Sequence, residues 1–290
     1  MIEAFSPDLL QKIGAYRAQT FRTDPALRIH SPEEAVEFVE DRGLILFWPN
    51  KNLVFPSLWV AAAGDRPVPN NHDDPGHVTW SWKDEMLPRR LWYYGKLLRG
   101  KATFVSMDAL PYVYALSPRY GDLDDYTEAY RAGTLSHEAH AIATILLDEG
   151  PQNSILLRKK AGLSSPSAKY SFHRALTTLQ RGLWILPVRV VQAGTWNYAF
   201  EYELFDRWHP AILPKARIIS EDLARAVLLG HALTSIGCTD SRGMQRLFGW
   251  SPPHIQAAFS RLEAEGAAYP SGDIWSVKAL AASLLPSQNS

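Results

Sequence analysis

The sequence predicts an α+β fold that is mainly helical and carries small β-hairpins. The first observation behind this prediction is an internal repeat, because the segment from Gly150 recurs 87 residues later from Gly237, with Asn153 matched by Asp240. Each copy also shows three consecutive helical segments, followed by β-branched and aromatic residues that a turn interrupts. A repeat of this period indicates one supersecondary unit that occurs twice.

The first copy predicts three helices and a hairpin. An apolar helix begins at the N-cap Ser136 and covers "HEAHAIATILLDE". A short helix follows, capped by Asn153 and closed by Gly162 at the C′ position. The turn "SSP" opens a third helix over 167–181, with proline where a missing N–H costs nothing. Two strands, "GLWILPVRVVQ" and "TWNYAFEYE", then pair across "AGT".

The second copy predicts the same unit, with Ser220 as the first N-cap, a short helix between Asp240 and Gly249, and a shorter hairpin in "AAYPSGDIWSV". Three helices and a hairpin that contain a helix–turn–helix form a winged helix, whose third helix usually enters the DNA major groove. We therefore expect tandem winged-helix domains, a middle one at 133–217 and a carboxy-terminal one at 218–290. A protein-interaction module is the alternative use of this architecture.

The amino-terminal region, 1–132, has weaker signals. A helix capped by Ser31 covers "PEEAVEFVEDR" and is followed by a strand in "LILFWP". An aromatic helix is expected over "DEMLPRRLWYYGKLLRG", and two strands in "KATFVSMDALPYVYALS". A third, degenerate winged helix is one interpretation of this region.

The distribution of charge points to a function. The chain has 30 basic and 30 acidic residues, yet 151–200 contains seven Lys or Arg and no Asp or Glu. A polyanion explains this, because a carboxylate near a phosphate costs Coulomb repulsion whereas Lys and Arg release condensed counterions. The alternative, a merely solvated basic face, normally carries interspersed acids.

The third helix of the middle domain is the expected contact. On a helical wheel its apolar side chains share one face, while Tyr170, Arg174, Thr177 and Arg181 share the opposite one. Duplex DNA is therefore the predicted partner. The candidate DNA-binding residues are Arg158, Lys159, Lys160, Lys169, Tyr170, His173, Arg174, Thr177, Arg181 and Arg189. The third helix of the second copy carries Glu263 and Glu265, whose negative charges make it poorly suited to bind phosphates.

Two stretches, "YELFDRWHPAILP" at 202–214 and "LARAVLLGHALTSIGCTDSRGMQRLFGW" at 223–250, are similar to those of the AlkZ/YcaQ-type winged-helix DNA glycosylases. The resemblance implies tandem winged helices, DNA as the ligand and a relation to the excision of alkylated or crosslinked bases in DNA repair. The family's water-positioning signature is a Gln-x-Gln or Gln-x-Asp pair.

Leu46 and Trp48 stand where that pair is expected, and neither side chain has an oxygen that could accept a hydrogen bond from the attacking water. Asn50 and Asn52 show the same spacing a few residues later. The resemblance therefore implies the fold and DNA binding more directly than catalysis, and whether the chain is a glycosylase stays open. A non-catalytic transcriptional regulator or protein-interaction module is the alternative function.

Other chemistry has little support in the sequence. A single cysteine, Cys238, rules out an internal disulfide and a multi-thiolate zinc site and fits a cytoplasmic setting. No signal peptide, long apolar run or nucleotide-binding loop occurs, so we expect no membrane association and no cofactor. The histidine pair His137 and His140, and the loop "NHDDPGH" from 71 to 77, are weak metal-ligand patterns. We interpret the loop as a solvated turn.

Overall fold

The computed structural model of the protein describes residues 6–71, 73–194 and 197–284. Contacts between residues group the chain into two units. The split unit combines Met1–Ser81 with Ser220–Ser290, and the continuous unit is Trp82–Ile219. The expected domain boundaries after 132 and 217 stay a prediction.

Helices dominate the chain, and the strands are short. The α-helices are α1 (Pro7–Thr20), α2 (Pro32–Arg42), α3 (Leu58–Ala63), α4 (Val78–Met86), α5 (Leu110–Ala115), α6 (Tyr126–Arg131), α7 (His137–Glu149), α8 (Ser154–Lys160), α9 (Lys169–Arg181), α10 (Phe205–Trp208), α11 (Ile212–Ala216), α12 (Glu221–Ile236), α13 (Ser241–Phe248), α14 (Pro252–Ala264) and α15 (Lys278–Leu284). The β-strands are β1 (Leu44–Leu46), β2 (Trp92–Lys96), β3 (Ala102–Ser106), β4 (Gln152–Asn153), β5 (Ile185–Val191), β6 (Ala199–Leu204), β7 (Cys238–Asp240), β8 (Tyr269–Ser271) and β9 (Ile274–Ser276). This content confirms the predicted α+β class.

The first copy of the repeat lies in the continuous unit as α7, β4, α8, α9, β5 and β6. The Asn153 side chain caps α8 by accepting hydrogen bonds from the backbone N–H groups of Ile155 at 3.1 Å and Leu156 at 3.0 Å. Gly162, just after α8, has a φ of 71°, a conformation in which a side chain would be strained. A 3-10 turn at Pro166–Ala168 precedes α9. The core of this copy consists of buried side chains that include Leu146, Leu157, Phe172, Leu176, Leu179 and Ile185.

The second copy lies in the split unit as α12, β7, α13, α14, β8 and β9. Ser220 caps α12, and Asp240 caps α13 by accepting from the backbone N–H of Gly243 at 2.7 Å. Both copies contain a three-stranded sheet in which the last strand of the copy lies between the other two, β4-β6-β5 and β7-β9-β8. The sequence missed β4 and β7, because strands of two or three residues show no periodicity.

Two expectations for the amino-terminal region are wrong. The expected aromatic helix ends early, at Met86, and Trp92–Lys96 forms the antiparallel strand β2 beside β3. Arg90 adopts a left-handed φ of 59°, which breaks the helix, and the aromatic run that follows fits a pleated sheet. The second expected strand is instead helix α5, with Pro111 in its first turn.

The order α2, β1, α3, α4, β2, β3 is the helix–strand–helix–helix–strand–strand order of the two repeat copies. A third, degenerate winged helix within 1–132 stays a prediction. Among the described residues, no helix combines the length and the apolar character that crossing a bilayer requires. Thr195 and Trp196 of the expected hairpin lie outside the described residues.

Candidate nucleic-acid interface

Helix α9 presents the two faces that the helical wheel predicts. Its inner face buries Phe172, with 2% of its surface exposed, and Leu179, with none exposed, in the core of the continuous unit. On the outer face Tyr170 is 74% exposed, and Arg174 and Arg181 are exposed as well. Packing of the apolar stripe therefore fixes which side chains of α9 face solvent.

Four of the exposed cations on α8 and α9 have no counter-ion within the protein. Among the described residues, Lys159, Lys169, Arg174 and Arg181 form no ion pair. Arg174 does interact electrostatically with Glu138 at the start of α7. Hydrogen bonds to the Glu138 carboxylate, then the charges of His137 and Arg174, hold its pKa below the ordinary value. The outer face of α9 thus keeps most of its positive charge.

His173 and Thr177 contribute hydrogen-bonding groups to this face and no charge. Partial burial, together with the charges of Lys169 and Arg158, lowers the pKa of His173 below its ordinary value, so the exposed imidazole is neutral at pH 7. Thr177 is half-buried, and its hydroxyl donates to the backbone carbonyl of His173 at 2.9 Å.

Arg158 braces the connection between α8 and α9. Its Nε donates to the carbonyl oxygen of Leu163 at 2.8 Å, and its Nη2 donates to that of Ser165 at 2.7 Å. These bonds satisfy carbonyls in the loop before α9 and fix where α9 begins. Arg158 is therefore a positioning residue for the basic face, and its side chain is only partly exposed.

Lys160 and Arg189 are neutralised by carboxylates that lie just outside the acid-free segment. Lys160 pairs with Glu149 and also donates to Gln152 Oε1 at 3.1 Å. Arg189, on β5, pairs in a bidentate manner with Glu201 on β6, at 2.6 Å from Nε to Oε1 and 3.0 Å from Nη2 to Oε2. The segment is free of acids along the sequence but not in space, because the antiparallel register brings Glu201 opposite Arg189.

Gln180 lies on the same flank of the helical wheel as Lys169 and His173, yet Gln180 is buried whereas those two side chains are exposed. Its side chain is 5% exposed, and Oε1 accepts a hydrogen bond from the backbone N–H of Lys96 on β2 at 3.0 Å. The hydroxyl of the fully buried Tyr93 donates to the Gln180 carbonyl at 3.1 Å. These bonds fasten α9 to the β2–β3 hairpin, a partner that no local sequence pattern specifies.

The segment where the family signature is expected is apolar and aromatic in the split unit. Leu46 is 1% exposed on β1, and the Trp48 ring lies 5.3 Å from the Trp59 ring and 6.0 Å from the His77 ring, centroid to centroid. The Asn50 side chain closes a local turn by accepting from the backbone N–H of Asn52 at 2.9 Å. Leu46 is therefore buried and apolar, and Trp48 belongs to an aromatic cluster with Trp59 and His77.

Asn52 borders a cavity of about 390 Å³ within the split unit. Arg17, Asp240 and Arg246 supply the charged groups of its wall, and the remainder is mostly apolar. Its volume falls in the range of about 300–1,000 Å³ that is usual for ligand pockets. The cavity lies between segments from both ends of the chain, which no sequence signal brings together.

The weak metal-ligand patterns have other roles where they can be described. The Asp74 carboxylate forms a bidentate ion pair with the Arg66 guanidinium, with Nη1 to Oδ2 at 3.0 Å. The His140 ring packs against the Tyr130 ring, with 4.5 Å between the ring centroids. His72 lies outside the described residues. Within the part of the chain that the structure describes, no three His, Cys, Asp or Glu side chains come together as a metal site would require.

Comparisons with known proteins agree with the sequence resemblance. A family model described as "AlkZ related" matches residues 29–249. The fold is similar to that of the Streptomyces sahachiroi DNA glycosylase AlkZ, with a TM-score of 0.58 and 13% identity, over 95% of this chain and 71% of that chain. A search of curated proteins gives no match.

Proposed function

Because this chain belongs to the AlkZ-related family, we propose that it is a DNA-binding protein of DNA repair that holds duplex DNA against the outer face of α9. The observation that carries the proposal is a set of four exposed cations that form no ion pair within the part of the chain that the structure describes. This set consists of Lys159, Lys169, Arg174 and Arg181.

Unpaired cations on one face repel one another and gain most from a polyanion. Each phosphate contact by Lys or Arg releases condensed counterions, so four contacts give a slope of about −3.6 in log K against log salt. Tyr170, 74% exposed on the same face, adds a planar ring and a hydroxyl that can contact sugar and phosphate. The two neutralised residues, Lys160 and Arg189, contribute less than the sequence alone suggests.

The experiment is a fluorescence-anisotropy titration of a labelled duplex at several salt concentrations. The variant Arg174→Gln/Arg181→Gln is expected to reduce the magnitude of the slope by about 1.8, because two contacts are lost. The matched control is Lys215→Gln/Arg217→Gln, which removes two exposed cations from the same unit, one on α11 and one at its C-cap. It should leave the slope unchanged.

Two results would contradict the proposal. One is no duplex binding by the wild-type protein at low salt, and the other is binding by the α9 variant that matches the wild type. If the first is accompanied by a stable complex with another protein, the chain is a protein-interaction module. Sequence-specific operator binding without repair activity would instead identify a regulator.

Excision of a damaged base is a second candidate function, which the cavity beside Asn52 favours. The Asn52 amide offers a water both a donor and an acceptor, whereas Leu46 offers neither and Trp48 offers only its indole N–H donor. Incubation with an alkylated duplex, followed by detection of abasic sites, tests excision, and Asn52→Ala should abolish it. If the wild type yields no more abasic sites than a heat-inactivated sample, excision is rejected while DNA binding stands on its own titration.

A further inference from the structure

A second stretch of the chain lacks acidic residues. Residues 86–107 contain five Arg or Lys and no Asp or Glu. Arg89 pairs with Glu85, and the Arg90 guanidinium stacks on the Trp208 ring at 3.9 Å, so these two cations have partners. The other three belong to the β2–β3 hairpin and are exposed. They are Lys96, Arg99 and Lys101.

The turn between β2 and β3 has a fixed conformation. The backbone N–H of Leu97 donates to the Lys101 carbonyl at 3.1 Å, and the N–H of Lys101 donates to the Leu98 carbonyl at 2.8 Å. Leu98 is buried, and its N–H donates to the hydroxyl of Thr103 at 3.1 Å. Arg99 takes a left-handed φ of 52°, at the tip of the turn. Arg99 and Lys101 are therefore held in place by the backbone beneath them.

The tip of this turn lies against α9 at Thr177, at the edge of the outer face. A Cβ built on Gly100 would lie 3.7 Å from Thr177 Cγ2. Arg174 precedes Thr177 by three residues and Arg181 follows it by four, so both lie on the same side of the helix. Arg99 and Lys101 thus flank one side of this contact, and Arg174 and Arg181 flank the other.

Among the described residues, Lys96, Arg99 and Lys101 form no ion pair with a carboxylate. Partial burial and then the charge of Lys101 lower the pKa of Lys96, a sign of repulsion within the group. Two separate acid-free segments thus meet on one surface, each with cations that form no ion pair. Such a surface is suited to bind a polyanion that contacts both segments.

We propose that the β2–β3 turn is a second phosphate-contacting element, which binds the DNA backbone beside α9 through Arg99 and Lys101. The inference rests on the proposed function, since it assumes that α9 faces duplex DNA. It adds a contact that neither the winged-helix repeat nor the sequence resemblance assigns. The turn widens the basic surface from one helix to a helix and the hairpin fastened to it.

The test measures salt-dependent duplex binding of the full chain with Arg99→Asn/Lys101→Gln. Asparagine tolerates the left-handed backbone at 99, so the turn should keep its conformation. Loss of two contacts should reduce the magnitude of the slope by about 1.8. The charge-matched control Lys215→Gln/Arg217→Gln should leave it unchanged. A single variant, Lys101→Glu, leaves position 99 intact and should weaken binding more than Lys101→Gln.

The outcomes separate the two proposals. Suppose that the wild type binds and the α9 variant shows a smaller salt slope, but Arg99→Asn/Lys101→Gln and Lys101→Glu both bind like the wild type. The turn then does not contact DNA, and only this inference fails. If the charge-matched control loses as much as the turn variant, the effect is one of net charge, and the inference fails again. If the wild type does not bind duplex DNA, the proposed function itself fails.

Discussion

Replacing Glu201 by Gln should strengthen DNA binding. This result would be unusual, because substitution of a residue that contacts a DNA-binding side chain, here Arg189, usually weakens binding. Glu201 holds both Nε and Nη2 of Arg189, at 2.6 and 3.0 Å. Its side chain is 12% exposed and that of Arg189 is 57% exposed, so the arginine can turn outward once its partner is neutral. Glutamine keeps the shape of the glutamate and removes only the charge.

The expected gain is one phosphate contact. The slope of log K against log salt should steepen by about 0.9, so that the affinity advantage over wild type falls roughly 3.5-fold when the salt concentration rises fourfold. Stability should change by less than about 1 kcal/mol, because ion pairs with an exposed partner contribute little. The gain in binding should thus be separable from any change in folding.

The assay is the same anisotropy titration, with Glu201→Gln/Arg189→Gln as the matched control. The double variant should return to the wild-type slope, since the freed cation is gone. Glu128→Gln, which frees Arg131 from an exposed pair on α6, controls for the change in net charge. If Glu201→Gln leaves the slope unchanged, or if Glu128→Gln steepens it equally, Arg189 does not face the DNA.

Two further predictions concern the stability of the continuous unit. Burial, and then the charge of Arg90, lower the pKa of His209 to about 4. The unfolded chain therefore binds a proton first as pH falls, and stability of about 3 kcal/mol should be lost between pH 6.5 and pH 4. In urea denaturation, His209→Gln should lack this loss, and parallel pH profiles for the two proteins would refute it. Asp125 accepts from Arg119 Nε at 2.8 Å and from the Trp184 indole N–H at 2.9 Å. Asp125→Asn should cost about 3–5 kcal/mol, whereas Glu128→Gln should cost less than about 1 kcal/mol, and equal urea midpoints for these two variants would contradict the buried role.

Local signals predict local structure in this chain. Ser136, Asn153 and Asp240 cap the helices that the sequence assigns to them, because a cap depends on one side chain and the next three backbone N–H groups. The sequence predicts the buried and exposed faces of α9 equally well, since the spacing of Phe172 and Leu179 determines which side of the helix packs against the core.

Contacts between distant segments were not predictable in the same way. Glu201 neutralises Arg189 through strand register, and Gln180 is buried by a hairpin more than 80 residues earlier in the chain. The sequence predicts a helix for the aromatic run at Trp92 because its hydrophobic period is ambiguous, whereas tertiary packing favours a strand. Neither the Glu201–Arg189 ion pair nor the burial of Gln180 leaves a signal within one segment of the sequence.

The bonds that Gln180 makes to the β2–β3 hairpin have a mechanical consequence. Helix α9 cannot tilt or shift by itself, because Lys96 and Tyr93 would have to move with it or lose a buried hydrogen bond. A ligand that reorients the helix must carry the hairpin along. The helix and the hairpin should therefore move as one rigid body, and a duplex that binds both would have to adapt to their fixed relative orientation.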